Sequence, residues 1–308
     1  MEEKRFKELL QESFKSNDTE EWLDIWFTRP IGLAIALVCG RLGITPNAIT
    51  IAGIVIGAAG GWMFHYSDLG HNVCAVLLLM VANFCDSADG QLARLTNQKT
   101  VLGRLLDGFA SDVWFFCVYL ALVWRMWDEP MPIVGIAWQG WGFVLCAVAG
   151  LLCHSTQCAL ADYYRNIHLW FLKGNTGSEL DSYAKEQQTY DELSRQGWSF
   201  ERIYHYFYKG YCKKQERLTP QFQAFFAAYR QDNGRQPMVN GQFLSTSRKL
   251  MPFTNILTHN TRAFALFIAA LINIPWLYPL FEIVVLHPLY LYMRYSHEKL
   301  CETLKTKI

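Results

Sequence analysis

The sequence predicts an all-α membrane protein: a polytopic bundle of about six transmembrane helices with an N-terminal interfacial helix and a cytoplasmic helical insertion. Three observations lead there. Hydrophobic residues make up 52% of the 308 positions and charged residues only 18%, which is too apolar for an ordinary soluble domain. The apolar residues gather into runs near the roughly 20 residues that a hydrocarbon core demands. One long stretch, 166–255, is instead polar and rich in Tyr and Phe, so it belongs in water but not to a disordered loop. The net charge of +1 argues against a dedicated nucleic-acid binder, and no nucleic-acid partner is expected.

The elements follow in chain order. Met-Glu-Glu-Lys-Arg-Phe-Lys is a charged, amphipathic start without a signal-peptide core. Residues 20–41 mix Trp and Phe with acids ahead of a short apolar run, which suits a helix lying along the membrane surface; a short first transmembrane helix is the alternative. Spans are expected at 48–66, 72–94, 101–125, 133–160, 260–274 and 276–293. Within the insertion, Gly174-Asn175-Thr176-Gly177 and Asp232-Asn233-Gly234 read as turns, and aromatic residues recur at helical spacing over 200–214 and 221–230. Four regions result: 1–46 interfacial, 47–165 with spans one to four, 166–255 as insertion, and 256–308 with the last two spans and a tail. The nine cysteines lack CxxC spacing and mostly sit in apolar runs, so they read as small buried hydrophobes.

Lysine and arginine placement sets the orientation. The connections near 67–71, 126–132 and 274–275 carry almost none, whereas the N-terminus, the 96–100 turn, the insertion and the tail carry the rest. Both termini are therefore expected on the cytoplasmic side, together with the cytoplasmic ends of spans two and three.

Those ends carry Cys85-Asp86-Ser87-Ala88-Asp89-Gly90-Gln91-Leu92-Ala93-Arg94 and Gly103-Arg104-Leu105-Leu106-Asp107-Gly108-Phe109-Ala110-Ser111-Asp112. Ionisable groups at membrane depth are normally paired, hydrated or functional. On a helix Asp86 and Asp89 differ by about 60°, so both address one ligand, and Asp107 lies about one turn into the next helix. Three carboxylates from two neighbouring helices suit a hard divalent cation that bridges to phosphate oxygens. Gly90 and Ala93 share their face and leave the backbone open to a bulky ligand, while Arg94 offers a forked donor to phosphate.

As it stands, Asp86-x2-Asp89-Gly90-x2-Ala93-Arg94-x8-Gly103-x3-Asp107 resembles the signature of the CDP-alcohol phosphotransferase (phosphatidyltransferase) family. Gly43-Ile44-Thr45-Pro46-Asn47-Ala48-Ile49-Thr50, just before the first span, is similar to the family as well. The signature continues with a fourth acid where this chain has Ser111, and Asp112 follows one residue later. The resemblance implies a reaction in which a hydroxyl attacks the β-phosphorus of a CDP-linked donor and CMP leaves. It implies two divalent cations, Mg²⁺ or Mn²⁺, held by Asp86, Asp89 and Asp107. It also implies a nucleotide surface of Gly90, Ala93, Arg94 and Gly103, with Asn47 and Thr50 as donor contacts, and a homodimer. Asp112 joins the metal and catalytic set, beside Asp107, only if a π turn near Gly108 widens the helix, because positions 107 and 112 are otherwise about 140° apart.

Two donor arrangements fit: a CDP-diacylglycerol-type lipid with a polar alcohol acceptor, or a soluble CDP-alcohol with a lipid acceptor. The first is preferred by analogy with family members of six-span core. His154, Ser155, Gln157, Asp162 and Arg165 cluster at the expected cytoplasmic end of span four, and with Arg104 and Arg262 they define a candidate pocket for a polyol or polyol phosphate such as inositol or inositol phosphate. A transporter would not account for the Gly-x2-Ala-Arg run, whereas a non-catalytic lipid-binding relative would account for Ser111.

Overall fold

The computed structural model describes residues 6, 8–11, 16, 18–98, 100–231 and 236–308. Most of the charged start, Met1–Arg5 and Lys7, and the turn expected at Asp232-Asn233-Gly234 lie outside the described residues. Among those described there are eleven helices and no strand, the all-α architecture expected. They are α1 (Arg29–Arg41, entered through a π turn at Asp24–Thr28), α2 (Pro46–Met63), α3 (Leu69–Leu95), α4 (Val101–Met126), α5 (Gln139–Lys173), α6 (Tyr183–Gln196), α7 (Phe200–Leu218), α8 (Pro220–Gln231), α9 (Gln236–Ile256), α10 (His259–Leu271) and α11, which comprises Leu277–Phe281, a π turn at Glu282–Leu286 and His287–Lys305.

The chain divides into two compact units, one falling within Glu20–Cys153 and Asn260–Ile283, the other within Lys15–Thr19, His154–His259 and Val284–Ile308. Helices α2, α3, α4 and α5 are long and apolar enough to cross a membrane. The fifth and sixth expected spans, 260–274 and 276–293, fall on the 13-residue α10 and on the π-interrupted first half of α11. The fourth begins at Gln139 and not near 133, because Pro130 and Ala137 pair in an isolated bridge and Ile133, Gly135 and Gln139 take positive φ, so this connection is a compact turn.

In the first unit α2 is the central helix, packing along both α3 and α4. Its sequence explains why. Thr45 caps the N-terminus by accepting from the Ala48 amide, and Pro46 follows at the first position, where its missing N–H costs nothing. A stripe of glycines then lets neighbours approach closely: a methyl at Gly53 would meet Cys85 Cβ at 3.0 Å, and one at Gly57 would lie 2.2 Å from the Trp114 indole. Asp68 and Thr100 cap α3 and α4 in the same way, through the amides of His71 and Gly103. Asn97, with φ of 55°, turns the chain sharply between α3 and α4. Helix α1 buries Gly32, Leu33 and Ala36, and lies against α3, where Gln91 Nε2 donates to the Arg29 carbonyl at 3.1 Å.

The second unit is held by aromatic packing. Phe171 stacks on Phe243 at 4.1 Å and on Phe225 at 5.9 Å, with Trp170 edge-on to Phe226. Glu298 caps α8 by accepting from the Gln221 and Phe222 amides. Thus the aromatic repeat over 221–230 is core packing, with Phe222, Phe225 and Tyr229 buried, whereas Phe200, Tyr206 and Phe207 of the 200–214 repeat are exposed.

Candidate active site

The acid motif is placed by α3 and α4. Asp89 is buried at 4% exposure, and the Thr50 hydroxyl of α2 donates to its Oδ2 at 2.5 Å; the Pro46 carbonyl, at 3.1 Å, is the competing acceptor for that single proton. Asp86 is half-buried, within side-chain hydrogen-bonding reach of Asp107 and within electrostatic reach of Asp89. Asp107 also bears on Asp89, as does Arg94. The structure therefore brings together Asp86, Asp89, Asp107 and Thr50. Three different helices contribute.

The nucleotide-side residues have a matching geometry. A methyl at Gly90 would meet the Arg94 guanidinium at 3.5 Å and nothing closer, so the backbone faces open space. A methyl at Gly103 would meet Asn47 Oδ1 at 2.8 Å and Thr100 Oγ1 at 3.0 Å. Gly103 is thus required where it stands by the side chain of Asn47, and the start of α2 lies against the start of α4. Ala93 is half-buried and Arg94 exposed at the end of α3.

The other expected residues have the following surroundings. Helix α4 is α-helical throughout, without a π turn near Gly108, so Asp112 stays about 140° from Asp107 and is exposed, while Ser111 is half-buried. Arg262, expected at an acceptor pocket, is fully buried and forms an ion pair with Glu282 at 2.5 Å. Arg165 belongs to the second unit, where Nε and Nη2 donate to Asn255 Oδ1 at 3.1 and 2.8 Å. Asp162 accepts there from Asn166, Tyr211 and Gln215, so these polar side chains are engaged in the unit's own fold. Arg104 is exposed on α4.

One residue that sequence reasoning missed is Asp24. The π turn that carries it packs on α3, and its charge reaches Asp86. No spacing signal links positions 24 and 86, which are brought together by tertiary packing alone.

The donor chemistry of the site, three carboxylates beside a hydroxyl, is the hard oxygen set that Mg²⁺ or Mn²⁺ prefers. Among the described residues no three His, Cys, Asp or Glu side chains are drawn together as tightly as a bound metal requires, so the match is one of donor type and placement.

A helix bundle with four helices long and apolar enough to cross a membrane, and an acid motif on two successive ones, can be compared with known proteins. Residues 43–171 match the family model described as CDP-alcohol phosphatidyltransferase. The chain is 39% identical over 73 residues to an archaetidylinositol phosphate synthase of Pyrococcus horikoshii, 24% of this chain and 37% of that one. It is 32% identical over 109 residues to a CDP-diacylglycerol–serine O-phosphatidyltransferase of Bacillus subtilis, 35% of this chain and 55% of that one. It is 30% identical over 96 residues to a CMP-forming cardiolipin synthase of Streptomyces coelicolor, 30% of this chain and 43% of that one. The matches thus span between about a third and just over half of these relatives. The match to that family model covers residues 43–171, less than half of the chain, and the four long apolar helices make the chain an integral membrane protein.

Proposed function

We propose that this protein transfers a phosphatidyl group from CDP-diacylglycerol to the hydroxyl of a small polar alcohol, releasing CMP, in phospholipid synthesis. The observation that carries this reading is the convergence of Asp86, Asp89 and Asp107 from α3 and α4 beside the open backbone of Gly90. The names of relatives support it: one is a CDP-diacylglycerol–serine O-phosphatidyltransferase and another a CMP-forming cardiolipin synthase.

In the reaction the acceptor oxygen forms a bond to the β-phosphorus, the bond from that phosphorus to the CMP oxygen breaks, and the hydroxyl proton passes to a carboxylate of the site such as Asp107. Asp86, Asp89 and Asp107 are the residues that would hold two divalent cations. When bound, such cations supply charge neutralisation to the donor pyrophosphate and to the leaving group. Thr50 fixes the orientation of Asp89 through the hydrogen bond described. Gly90 and Ala93 leave room for the donor's cytidine, Arg94 offers two parallel donors to its phosphates, and Asn47 and Gly103 border the same face. An inositol-type acceptor is our reading, supported by the printed name of the Pyrococcus relative. A homodimer with both termini and the site on the cytoplasmic side completes the proposal, the latter supported by lysine and arginine placement.

The test is CMP release by detergent-purified protein from CDP-diacylglycerol, with Mg²⁺ or Mn²⁺, across inositol, inositol phosphate, glycerol phosphate and serine. Release that requires metal, one acceptor and Asp89 is expected. Release from a soluble CDP-alcohol with diacylglycerol instead would reverse donor and acceptor, and no release with either donor would leave a lipid-binding relative.

A further inference from the structure

The second unit carries a helical face that its own core leaves outside. Helices α6 and α7 form a hairpin whose connection turns through Gly197, at a φ of 107°, and closes where the Ser199 hydroxyl accepts from the Arg202 amide at 3.1 Å. One side of α7 points inward. It buries Tyr204, Cys212 and Gln215, and the helix packs on α6 and on the Ser155–Lys173 part of α5.

The other side is aromatic and basic. Trp198 in the connection and Phe200, Tyr206 and Phe207 on α7 are each more than half exposed. At 100° per residue Tyr206, Phe207, Arg202, Lys209 and Lys213 fall within about 80° of Arg217, whereas the helix's two acids, Glu201 and Glu216, lie about 160° and 100° away. Glu216 is drawn toward α6, where it accepts from the Tyr183 amide at 2.8 Å. Among the described residues none of the four cations is ion-paired: Lys209 meets the Gln187 side-chain oxygen at 3.1 Å and the Tyr190 ring at 3.5 Å, Lys213 lies over the Tyr183 ring at 5.1 Å, and Arg202 lies over the Tyr190 ring at 5.9 Å. No carboxylate offsets the charge of this face.

Rings and cations interleaved on one exposed helical face suit an anionic lipid surface, because the rings enter the headgroup layer while Lys and Arg reach its phosphates. A second copy fits poorly, since an isologous contact would set like charges against each other. Helix α5 begins in a stretch apolar enough to cross a membrane and runs on into this unit, so the chain itself keeps the face tethered to a bilayer.

We propose that the exposed face of α7, with Trp198 at the tip of its hairpin, docks on the anionic headgroups of the bilayer that holds the chain. This gives the insertion a lipid-binding role that does not depend on the transfer reaction. Each basic residue near an anionic surface adds roughly fivefold to partitioning, and the attraction fades within a Debye length, so salt weakens it.

The experiment uses the full chain in nanodiscs, with the photoreactive residue p-benzoylphenylalanine at position 207 or, as a control on the opposite side of α7, at position 201. The discs contain phosphatidylcholine alone or an equal mixture with phosphatidylglycerol, at low and high salt. Mass spectrometry is expected to find lipid adducts at position 207, rising roughly fivefold or more with phosphatidylglycerol and falling back at high salt, and few at position 201. Lys213→Gln combined with Arg217→Gln should remove most of that rise. Should this variant fold poorly, the salt series on the unaltered cations decides. Lipid adducts that are absent at position 207, equal at both positions, or indifferent to phosphatidylglycerol overturn the proposal. So do adducts at position 207 between two copies of the chain, or to another protein when the cross-link is made in whole membranes.

Discussion

The Thr50 hydroxyl and the Asp89 carboxylate, 39 residues apart, share a 2.5 Å hydrogen bond within the helix pair α2–α3. Asp89 is buried, so its orientation depends on the few groups that reach it. Thr50→Val keeps the shape and removes the donor. Support of this kind to a ligand carboxylate typically matters by 10- to 100-fold, so CMP release should fall by about that factor while the Tm in detergent changes by only a few degrees. A wild-type rate would show that Asp89 is oriented by something else.

The glycine stripe of α2 makes a stability prediction. A methyl at Gly57 would overlap the Trp114 ring, which is 2% exposed and cannot withdraw. Gly57→Ala should cost about 1–3 kcal/mol through overpacking. Gly140→Ala, where a methyl meets nothing within 4 Å, should change stability by less than about 1 kcal/mol. Thermal unfolding of the two variants side by side distinguishes packing from a general effect of losing glycine.

The first unit also contains a fully buried ion pair, Arg262 with Glu282, whose carboxylate additionally accepts from Tyr278 at 2.7 Å and from Tyr119. Removing one member strands the other in an apolar interior. Arg262→Met alone should destabilise by about 3–5 kcal/mol, whereas Arg262→Met with Glu282→Leu should recover most of the loss. Folded yield after detergent extraction reads both. A double variant as poor as the single one would mean that the pair contributes through its hydrogen bonds to the tyrosines.

In the second unit a pH dependence follows from His297, four residues beyond the sixth expected span. Burial pushes its imidazole from the ordinary 6.5 down to about 3, and the charge of His168 adds to that. The ring stacks on Tyr164 at 3.9 Å, edges onto Phe222 and Phe243, and lies 3.8 Å from Cys301 Sγ. Folded protein keeps it neutral where the unfolded chain protonates it, so between pH 6.5 and about 3 the unfolded state binds more protons. The stabilisation is complete above pH 6.5 and is lost as pH falls toward 3. His297→Phe should flatten that part of the Tm-against-pH curve. An unchanged slope would assign it to other groups.

Much of the site was legible because helical periodicity carries local chemistry. Asp86, Asp89 and Gly90 share a face at spacings a helix dictates, and Thr45-Pro46 announces the start of α2 as plainly as its cap does in the structure. The partners of the arginines were not legible for a related reason. Sequence position places Arg262 near a helix start but does not reveal the acid that neutralises it, and Glu282 lies 20 residues on, beyond any helical repeat. Arg165 likewise found Asn255, 90 residues away.

The sequence by itself determined what depends on composition and on short-range spacing: helices long enough to cross a membrane, an acid motif at the ends of two of them, and a helical aromatic insertion. Tertiary structure alone decided which distant side chains share that motif's space. Thr50 reaches Asp89 because glycines let α2 and α3 approach closely, the π turn of Asp24 packs on α3, and Asp112 stays on a different face of α4 from Asp107 because α4 keeps its regular turn. Contacts between residues tens of positions apart carry no period, so only packing can select them.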